Sequence, residues 1–248
     1  NSMIGLQVHL RLLVDAFCTY EKMKEEGFLP DCVTFLSLLE ASSVLANLCE
    51  GRILHSGIVD TGYENLIVVG NALISMYSKC GSMYDARKLF DSMSQKPLLA
   101  WNALIVGFAI QGETKLVLLL LEGMIKSGIC PDGETFTSVL IVCAHACMLV
   151  ESLICFEMMI SKFNIIPNIK HYTCIVDLLG RAGHAILVLE EMPFQPDLVL
   201  LRAMLGACRR RGNLELGEEM FEFAVGLDEK HSGSYVLMSN IYVDHYMF

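Results

Sequence analysis

The sequence has no excess of positive charge, and this absence restricts what it could bind. Eighteen Lys and Arg residues stand against 28 Asp and Glu residues in a chain of 248, so the formal net charge is −10 at pH 7. A protein that holds nucleic acid indiscriminately presents a basic surface to the phosphates. The composition therefore argues against a protein that binds nucleic acid indiscriminately.

Long apolar runs are also missing. The two longest uncharged stretches, residues 97–112 and 135–150, are shorter than the roughly 18 apolar residues that a membrane-spanning helix needs. Both also contain polar residues, so we predict no membrane-spanning segment. No signal or transit peptide is recognisable, and the chain begins at Asn1 without a Met. We expect it to be a fragment of a longer protein.

Cysteine is plentiful, but a compact cysteine pattern is absent. The ten cysteines follow none of the spacings of short disulfide-rich domains, so we expect reduced structural thiols in a reducing compartment. A disulfide framework is the alternative. The string CAHAC contains Cys143, His145 and Cys147. On a helix the two cysteines share a face and His145 points elsewhere, so we expect no metal site there.

Strand-like alternation with period two is weak throughout, and a longer period replaces it. The strings NSMI, NALI and NALI begin at Asn1, Asn71 and Asn102. Related strings place Leu36, Thr137, Thr173 and Arg202 at equivalent positions, and the successive spacings are 35, 35, 31, 35, 36 and 29 residues. Such a period predicts a repeat protein.

Each unit reads as a helical hairpin. In residues 98–132 one apolar stripe precedes Gly112 and a second follows it at helical spacing: Trp101, Leu104, Ile105 and Phe108, then Leu116, Leu119, Leu120 and Met124. A single hairpin cannot bury its apolar face, so neighbouring hairpins must stack into a solenoid with a concave surface. We predict an all-α protein of stacked helix-turn-helix hairpins.

Several strings resemble those of one family. Units end in GFLPD at 27–31 and GICPD at 128–132, GRILH stands at 51–55, and HYTCIVDLLGRAG begins at His171. With NALISMYSKCGSMYDARKLFDSM from Asn71 and MLGACRRRGNLELGE from Met204, they resemble plant pentatricopeptide repeat proteins. The likeness is to the PLS subclass, in which standard, long and short repeats alternate before E-type C-terminal motifs. The resemblance implies a right-handed α-solenoid.

The resemblance also divides the chain. It assigns a partial standard repeat to 1–31, a long repeat to 32–66, a short repeat to 67–97, a standard repeat to 98–132, a long repeat to 133–168, a shortened last short repeat to 169–197, a first E-type motif to 198–232 and the truncated start of a second to 233–248.

In this family the array binds single-stranded RNA, about one base per repeat, through two or three side chains. Carried over by resemblance, the base-reading residues are Asn1 with Asp31, Asn102 with Asp132, Thr173 with Asp197, and Asn71. The two Asn–Asp pairs imply pyrimidines, uridine first, and the Thr–Asp pair implies guanosine. Val68 and Leu99 would sandwich bases, and Lys170 would touch phosphate.

Some positions depart from the pattern. Pro97 stands where Asn71 would have an Asn or Asp partner, and Leu36 and Thr137 are expected to be poor readers. An Asp before a helix can also act only as an N-cap. From the local sequence alone that interpretation would be preferred, and the recurrence of the Asn–Asp pairing favours base reading.

By resemblance, the protein would be a specificity factor for cytidine-to-uridine RNA editing or related RNA processing in a mitochondrion or chloroplast. The E-type motifs would contact a deaminase-domain protein or other editing factors. Deaminases carry an H-x-E and a C-x-x-C pattern, and neither occurs here, so we expect no catalytic residue, no metal and no cofactor. The alternatives are a helical-repeat scaffold for protein partners and a degenerate, non-functional fragment.

Overall fold

The computed structural model of the chain describes residues 1–182, 198–212, 214–227 and 232–246. They form two compact units, here called the N-terminal unit (Asn1–Cys130) and the C-terminal unit (Pro131–Phe248).

The described residues contain fourteen α-helices, one short 3-10 helix and no strand. The helices are α1 (Ser2–His9), α2 (Leu13–Glu25), α3 (Cys32–Leu45), α4 (Leu48–Asp60), α5 (Ile67–Lys79), α6 (Met83–Ser92), α7 (Leu98–Ile110), α8 (Thr114–Lys126), α9 (Gly133–His145), α10 (Leu149–Ser161), α11 (Ile169–Ala182), α12 (Leu198–Arg211), α13 (Leu214–Leu227) and α14 (Ser232–Tyr246), and the 3-10 helix is Tyr63–Asn65. In the described part of the chain, none of these helices combines the length and apolarity needed to cross a membrane.

The N-terminal unit is a row of four hairpins. Helices α1, α3, α5 and α7 pack side by side in chain order, and each contacts the helix that follows it. Fully buried side chains such as Phe35, Ile74 and Leu104 come from this inner row, and Phe90 comes from the outer helix α6. The first helix of each hairpin is therefore anchored on two sides, which fixes the face that remains open.

Residues with positive φ mark the turn inside each hairpin. They are Arg11, Ala46, Gly81, Gly112, Cys147 and Gly212, with φ between 50° and 80°. A left-handed residue directly after a helix satisfies the last helical carbonyls and reverses the chain, and glycine adopts that conformation with least strain. The spacings from Arg11 to Cys147 are 35, 35, 31 and 35 residues, so the backbone geometry repeats with the period of the sequence.

The C-terminal unit contains the hairpins α9–α10 and α12–α13, together with α11 and α14. Its core joins Val176 on α11 to Leu201 and Leu205 on α12, Met220 on α13 and Met238 on α14. Residues 183–197, where the sequence predicts a shortened second helix, lie outside the described residues. The prediction of an all-α protein built from helical hairpins is confirmed.

Two of the four residues in the predicted apolar stripe of α8 are exposed. The sequence predicts that Leu116 and Leu119 face the core, but these side chains are 40% and 61% exposed. The buried side of α8 is formed by Val117, Leu120, Leu121 and Met124. Because four leucines follow one another, the apolar pattern does not select a face, and packing against Trp101 on α7, beside Gly123, decides it.

Candidate nucleic-acid interface

A groove between α5 and α7 brings two of the predicted base-reading residues together. Asn71 and Asn102 both line it, with Leu99, Ser75 and Lys79, and its volume is about 330 Å³. This is within the range of small-ligand sites, roughly 300–1,000 Å³. The surface that this groove offers to a ligand is mainly apolar, and Asn71, Asn102 and Lys79 lie along it.

Inward-facing neighbours orient Asn102 towards the groove. Trp101 is 6% exposed and its ring meets that of Phe90 edge-on, with centroids 4.7 Å apart. Leu104 and Ile105 are fully buried on the same side of α7. Because successive helical residues are about 100° apart, burial of Trp101 turns Asn102 towards the open side.

Close packing of α5 on α7 forms the floor of the groove. Gly107 lines it, and a Cβ at this position would lie 2.6 Å from Met83 Sδ and 2.8 Å from Ser78 Cβ. Only a residue without a side chain fits such an approach of two helices.

At the first hairpin, Thr34 lies between the two predicted partners. Its Oγ1 is 2.8 Å from Asn1 Oδ1 and 2.8 Å from Asp31 Oδ1. Asp31 Oδ1 also accepts a hydrogen bond of 2.8 Å from the Thr34 backbone N–H, so Asp31 is the N-cap of α3. These hydrogen bonds from Thr34 lower the pKa of Asp31 below its ordinary value, which keeps the carboxylate anionic near neutral pH.

The same arrangement surrounds Asp132 in the C-terminal unit. Asp132 Oδ1 accepts hydrogen bonds of 2.9 Å from both the backbone N–H and the hydroxyl of Thr135, and the Asp132 N–H donates to the Thr135 hydroxyl at 3.1 Å. Thr34 and Thr135 are 1% and 0% exposed. Sequence analysis missed both threonines, although the pattern D-x-x-T at 31–34 and 132–135 could have indicated them.

Asn71 has neither element of this arrangement. Pro97 occupies the N-cap of α7 without a side-chain hydrogen bond, and Ala100 occupies the position three residues later. The Asn71 Oδ1 atom is buried and has no hydrogen-bond partner. Asn71 therefore lacks the neighbouring carboxylate and hydroxyl that lie beside Asn1.

Two threonines on the first helices of the C-terminal unit bond to their own backbone. The Thr173 hydroxyl donates to Ile169 O at 2.8 Å and remains partly exposed. The Thr137 hydroxyl donates to Gly133 O at 2.8 Å and lies 3.0 Å from His171 Nε2. Asp197, the predicted partner of Thr173, lies outside the described residues.

His171 connects α11 to α9 from a fully buried position. Its Nδ1 accepts from the Asn168 N–H at 3.0 Å, and its Nε2 lies 2.9 Å from Gly133 O. An accepting Nδ1 and a donating Nε2 define the neutral tautomer with hydrogen on Nε2. These contacts assign His171 a structural role.

The residues predicted to contact RNA three positions before the readers are exposed. Val68 is 60% exposed and Leu99 is 66% exposed, and Val33, which sequence analysis missed, is 67% exposed. Three large apolar side chains thus face solvent at spacings of 35 and 31 residues, as a surface for flat aromatic ligands would require. Lys170 forms an exposed ion pair of 3.4 Å with Glu134.

The cysteines are free thiols, and four of them are buried. Burial raises the pKa of Cys143 and Cys174 to about 12, and that of Cys155 and Cys208 to about 11. Such thiols are poor nucleophiles. In the CAHAC string Cys143 is buried while His145 and Cys147 are exposed, and the described residues contain no group of three metal-type ligands.

The one basic run in the sequence, CRRR at 208–211, includes a residue that is already paired. Arg209 Nε donates to Asp244 Oδ2 at 2.7 Å, which connects α12 to α14. This ion pair favours a structural role for Arg209 over a contact with phosphate.

Comparison with known proteins connects this geometry to one family. The profile of the PPR repeat matches residues 1–28, 71–98, 99–129 and 134–162. Over 245 residues the chain is 37% identical to the pentatricopeptide repeat-containing protein At3g56550 of Arabidopsis thaliana, which covers 98% of this chain and 42% of that protein. It is 38% identical to the putative pentatricopeptide repeat-containing protein At3g11460, mitochondrial, and 37% identical to At1g08070, chloroplastic, both of Arabidopsis thaliana. These matches cover 98% of this chain, and 40% and 33% of the relatives, so the chain spans less than half the length of each of the three.

Solved structures share the fold. The maize pentatricopeptide repeat protein PPR10, in complex with an 18-nt psaJ RNA element, matches with a TM-score of 0.83 at 18% identity, over 97% of this chain and 37% of that one. The PPR domain of Arabidopsis thaliana protein-only RNase P 1, in complex with tRNA, matches with a TM-score of 0.56 at 18% identity, over 67% of this chain and 94% of that one. The predicted α-solenoid class is confirmed. The chain carries pentatricopeptide repeats and is homologous to PPR-containing proteins of plants.

Proposed function

We propose that the chain binds single-stranded RNA by sequence, with about one base per repeat, through the open face of its first helices. The observation that carries the proposal is the hydrogen-bonded set Asn1–Thr34–Asp31, together with the equivalent Asp132–Thr135 pair. A hydrogen-bonded amide beside a fixed carboxylate is suited to reading the edge of a base. The complex of PPR10 with RNA supports the same ligand class.

Within each unit, the side chains of the first helices match the parts of a nucleotide. The amide of Asn102 offers a donor and an acceptor to a Watson–Crick edge, whereas the buried Oδ1 of Asn71 leaves that residue its amide N–H₂ as the group for a base. The exposed Val68 and Leu99 offer apolar contact to the flat faces of bases, and Lys170 can exchange its ion pair with Glu134 for a phosphate. The deficit of positive charge then implies that base contacts contribute more to affinity than phosphate contacts do.

The base preference expected of each repeat follows from its pair of base-reading residues. Asn1 with Asp31 and Asn102 with Asp132 would select pyrimidines, uridine first, and Thr173 with Asp197 would select guanosine. Asn71, with Pro97 in place of a partner, would discriminate weakly.

We further propose the role of a specificity factor for cytidine-to-uridine editing in a mitochondrion or chloroplast. The support is the likeness of residues 198–248 to E-type motifs and the presence of mitochondrial and chloroplastic proteins among the relatives. The segment would bring a deaminase, present on another domain or another chain, to the RNA held by residues 1–197. The assignment of residues 1–197 to standard, long and short repeats belongs to this proposal.

Substitution of Asn102 tests the RNA-binding proposal. Asn102→Thr, with Asp132 kept, replaces an amide by a smaller hydroxyl, so the preference at one nucleotide should move from pyrimidine towards guanosine. The measurement is the affinity for short single-stranded RNAs that differ at one base, and Asn65→Thr, in the 3-10 helix, is the control. An equal loss of affinity for all of these RNAs would show that Asn102 is structural.

Removal of residues 198–248 tests the editing proposal. The truncated chain should keep its RNA affinity and lose editing in a reconstituted system, since the deaminase would no longer be recruited. Far-ultraviolet circular dichroism checks that the truncated chain remains folded. Loss of RNA binding by a folded truncated chain would contradict the proposed division of roles.

A further inference from the structure

We propose that Thr34 determines which end of the Asn1 amide faces the RNA, and that it thereby separates uridine from cytidine at that nucleotide. The inference rests on the proposed function and adds a positioning residue to it. Thr34 is 1% exposed and lies on α3, between Asn1 at the start of α1 and Asp31 at the start of α3.

Thr34 Oγ1 lies 2.8 Å from an oxygen of Asn1 and 2.8 Å from an oxygen of Asp31, but a hydroxyl carries a single proton. An ionised carboxylate is a stronger acceptor than an amide oxygen. The Thr34 proton therefore goes to Asp31, whose pKa is lowered.

With its proton on Asp31, Thr34 Oγ1 can only accept a hydrogen bond from Asn1. The two ends of an Asn side chain have nearly the same shape, so a half-turn about the Cβ–Cγ bond exchanges oxygen for nitrogen. The Asn1 amide then donates through Nδ2 to Thr34, and its oxygen turns outwards.

An outward amide oxygen accepts from a ring N–H. Uracil carries a hydrogen on N3, whereas neutral cytosine carries a lone pair there, which would face the amide oxygen without a hydrogen bond. Because the Thr34 hydroxyl donates to the Asp31 carboxylate and the Asn1 amide donates to that hydroxyl, the amide oxygen faces the base and favours uridine.

Asn71 provides a comparison within the same unit. Pro97 and Ala100 replace the carboxylate and the hydroxyl, and the Asn71 Oδ1 atom has no hydrogen-bond partner. Nothing of this kind fixes the direction of that amide. Its nucleotide should therefore be read with little discrimination between uridine and cytidine.

Selection from a randomised pool of 12-nucleotide single-stranded RNA tests the inference with the full chain. The nucleotide whose enrichment responds to Asn1→Ala is the one opposite the first repeat. There the wild type should enrich uridine over cytidine about fivefold, as one net hydrogen bond of about 1 kcal/mol would give. Thr34→Val should bring the ratio close to 1, and Thr34→Ser, which keeps the hydroxyl, should restore it.

The remaining nucleotides serve as internal controls for folding, because their enrichment should be the same in Thr34→Val as in the wild type. Thr61→Val, at the exposed end of α4, removes a hydroxyl that bonds only to its own helix and should leave every position unchanged. A wild type that enriches no nucleotide would overturn the proposed function and this inference with it. A wild-type ratio that persists in Thr34→Val, or a loss of affinity equal for all RNAs, would overturn the role of Thr34 and leave RNA binding intact.

Discussion

The hydroxyl of Tyr77 lies 2.9 Å from Nδ1 of His55, and this hydrogen bond joins α4 of one hairpin to α5 of the next. An ion pair joins the same two hairpins, because Arg52 on α4 lies 3.0 Å from Asp85 on α6. Arg52 and His55 both belong to the GRILH string, whose Gly51 packs against Met76. The string therefore holds two neighbouring hairpins in register, and so supports the groove that the second of them lines.

His55 makes the stability of the chain depend on pH. Desolvation by burial lowers the pKa of His55 below 6.5 in the folded state, so the unfolded state binds a proton more readily. The stabilisation by neutral His55 is complete above the unfolded pKa of about 6.5 and is lost as pH falls through the lower folded pKa. Between pH 7.5 and pH 5.5, the free energy of unfolding measured with urea should fall more for the wild type than for His55→Gln. The exposed His9→Gln serves as control, and equal losses in wild type and His55→Gln would contradict the assignment.

Cys147 occupies a left-handed position that glycine would fill without strain. Its φ is 55°, at the turn between α9 and α10, where the equivalent residues of two other hairpins are Gly81 and Gly112. Cys147→Gly should stabilise the chain by about 1 kcal/mol, since a side chain in this conformation is strained by about that amount. Thermal unfolding should show a midpoint about 2–4 °C higher. Cys18→Gly, in the middle of α2, should lower it, and a rise in both variants would rule out the backbone explanation.

Gly107 permits the approach of α5 to α7. Gly107→Ala places a Cβ against Met83 Sδ and Ser78 Cβ, at 2.6 and 2.8 Å, so the helices must separate. Overpacking of this kind costs about 1–3 kcal/mol. Gly5→Ala is the matched control, because its Cβ would meet only Ser37 Oγ at 3.7 Å. Denaturant titration should show a lower free energy of unfolding for Gly107→Ala and an unchanged one for Gly5→Ala. The RNA affinity of Gly107→Ala should also fall, because the groove floor moves.

Pro97 leaves α7 without a side-chain cap. Its backbone is extended, with φ −69° and ψ 165°, as is that of Asp31 with φ −93° and ψ 173°. Pro97→Asp should therefore cap the Ala100 N–H as Asp31 caps that of Thr34. Relative to Pro97→Ala, which removes the ring without adding a cap, the gain should be about 0.5–2 kcal/mol. Identical unfolding midpoints for the Asp and Ala variants would show that the cap does not form.

The sequence by itself determined the period and the hairpins, because a chain that repeats every 29–36 residues must bury each hairpin against the next, and its strings showed the resemblance to pentatricopeptide repeat proteins. Its local patterns also placed Asn71 and Asn102 on first helices, since Trp101 and its neighbours form a clear buried stripe. The side of α8 that is buried was decided only by tertiary packing, because a run of leucines has no periodic contrast. The same holds for the contact of Thr34 with Asn1, a residue 33 positions away, and for the unpaired amide oxygen of Asn71. Hydrogen bonds between helices depend on how the helices are stacked in space, and a one-dimensional pattern does not contain those distances.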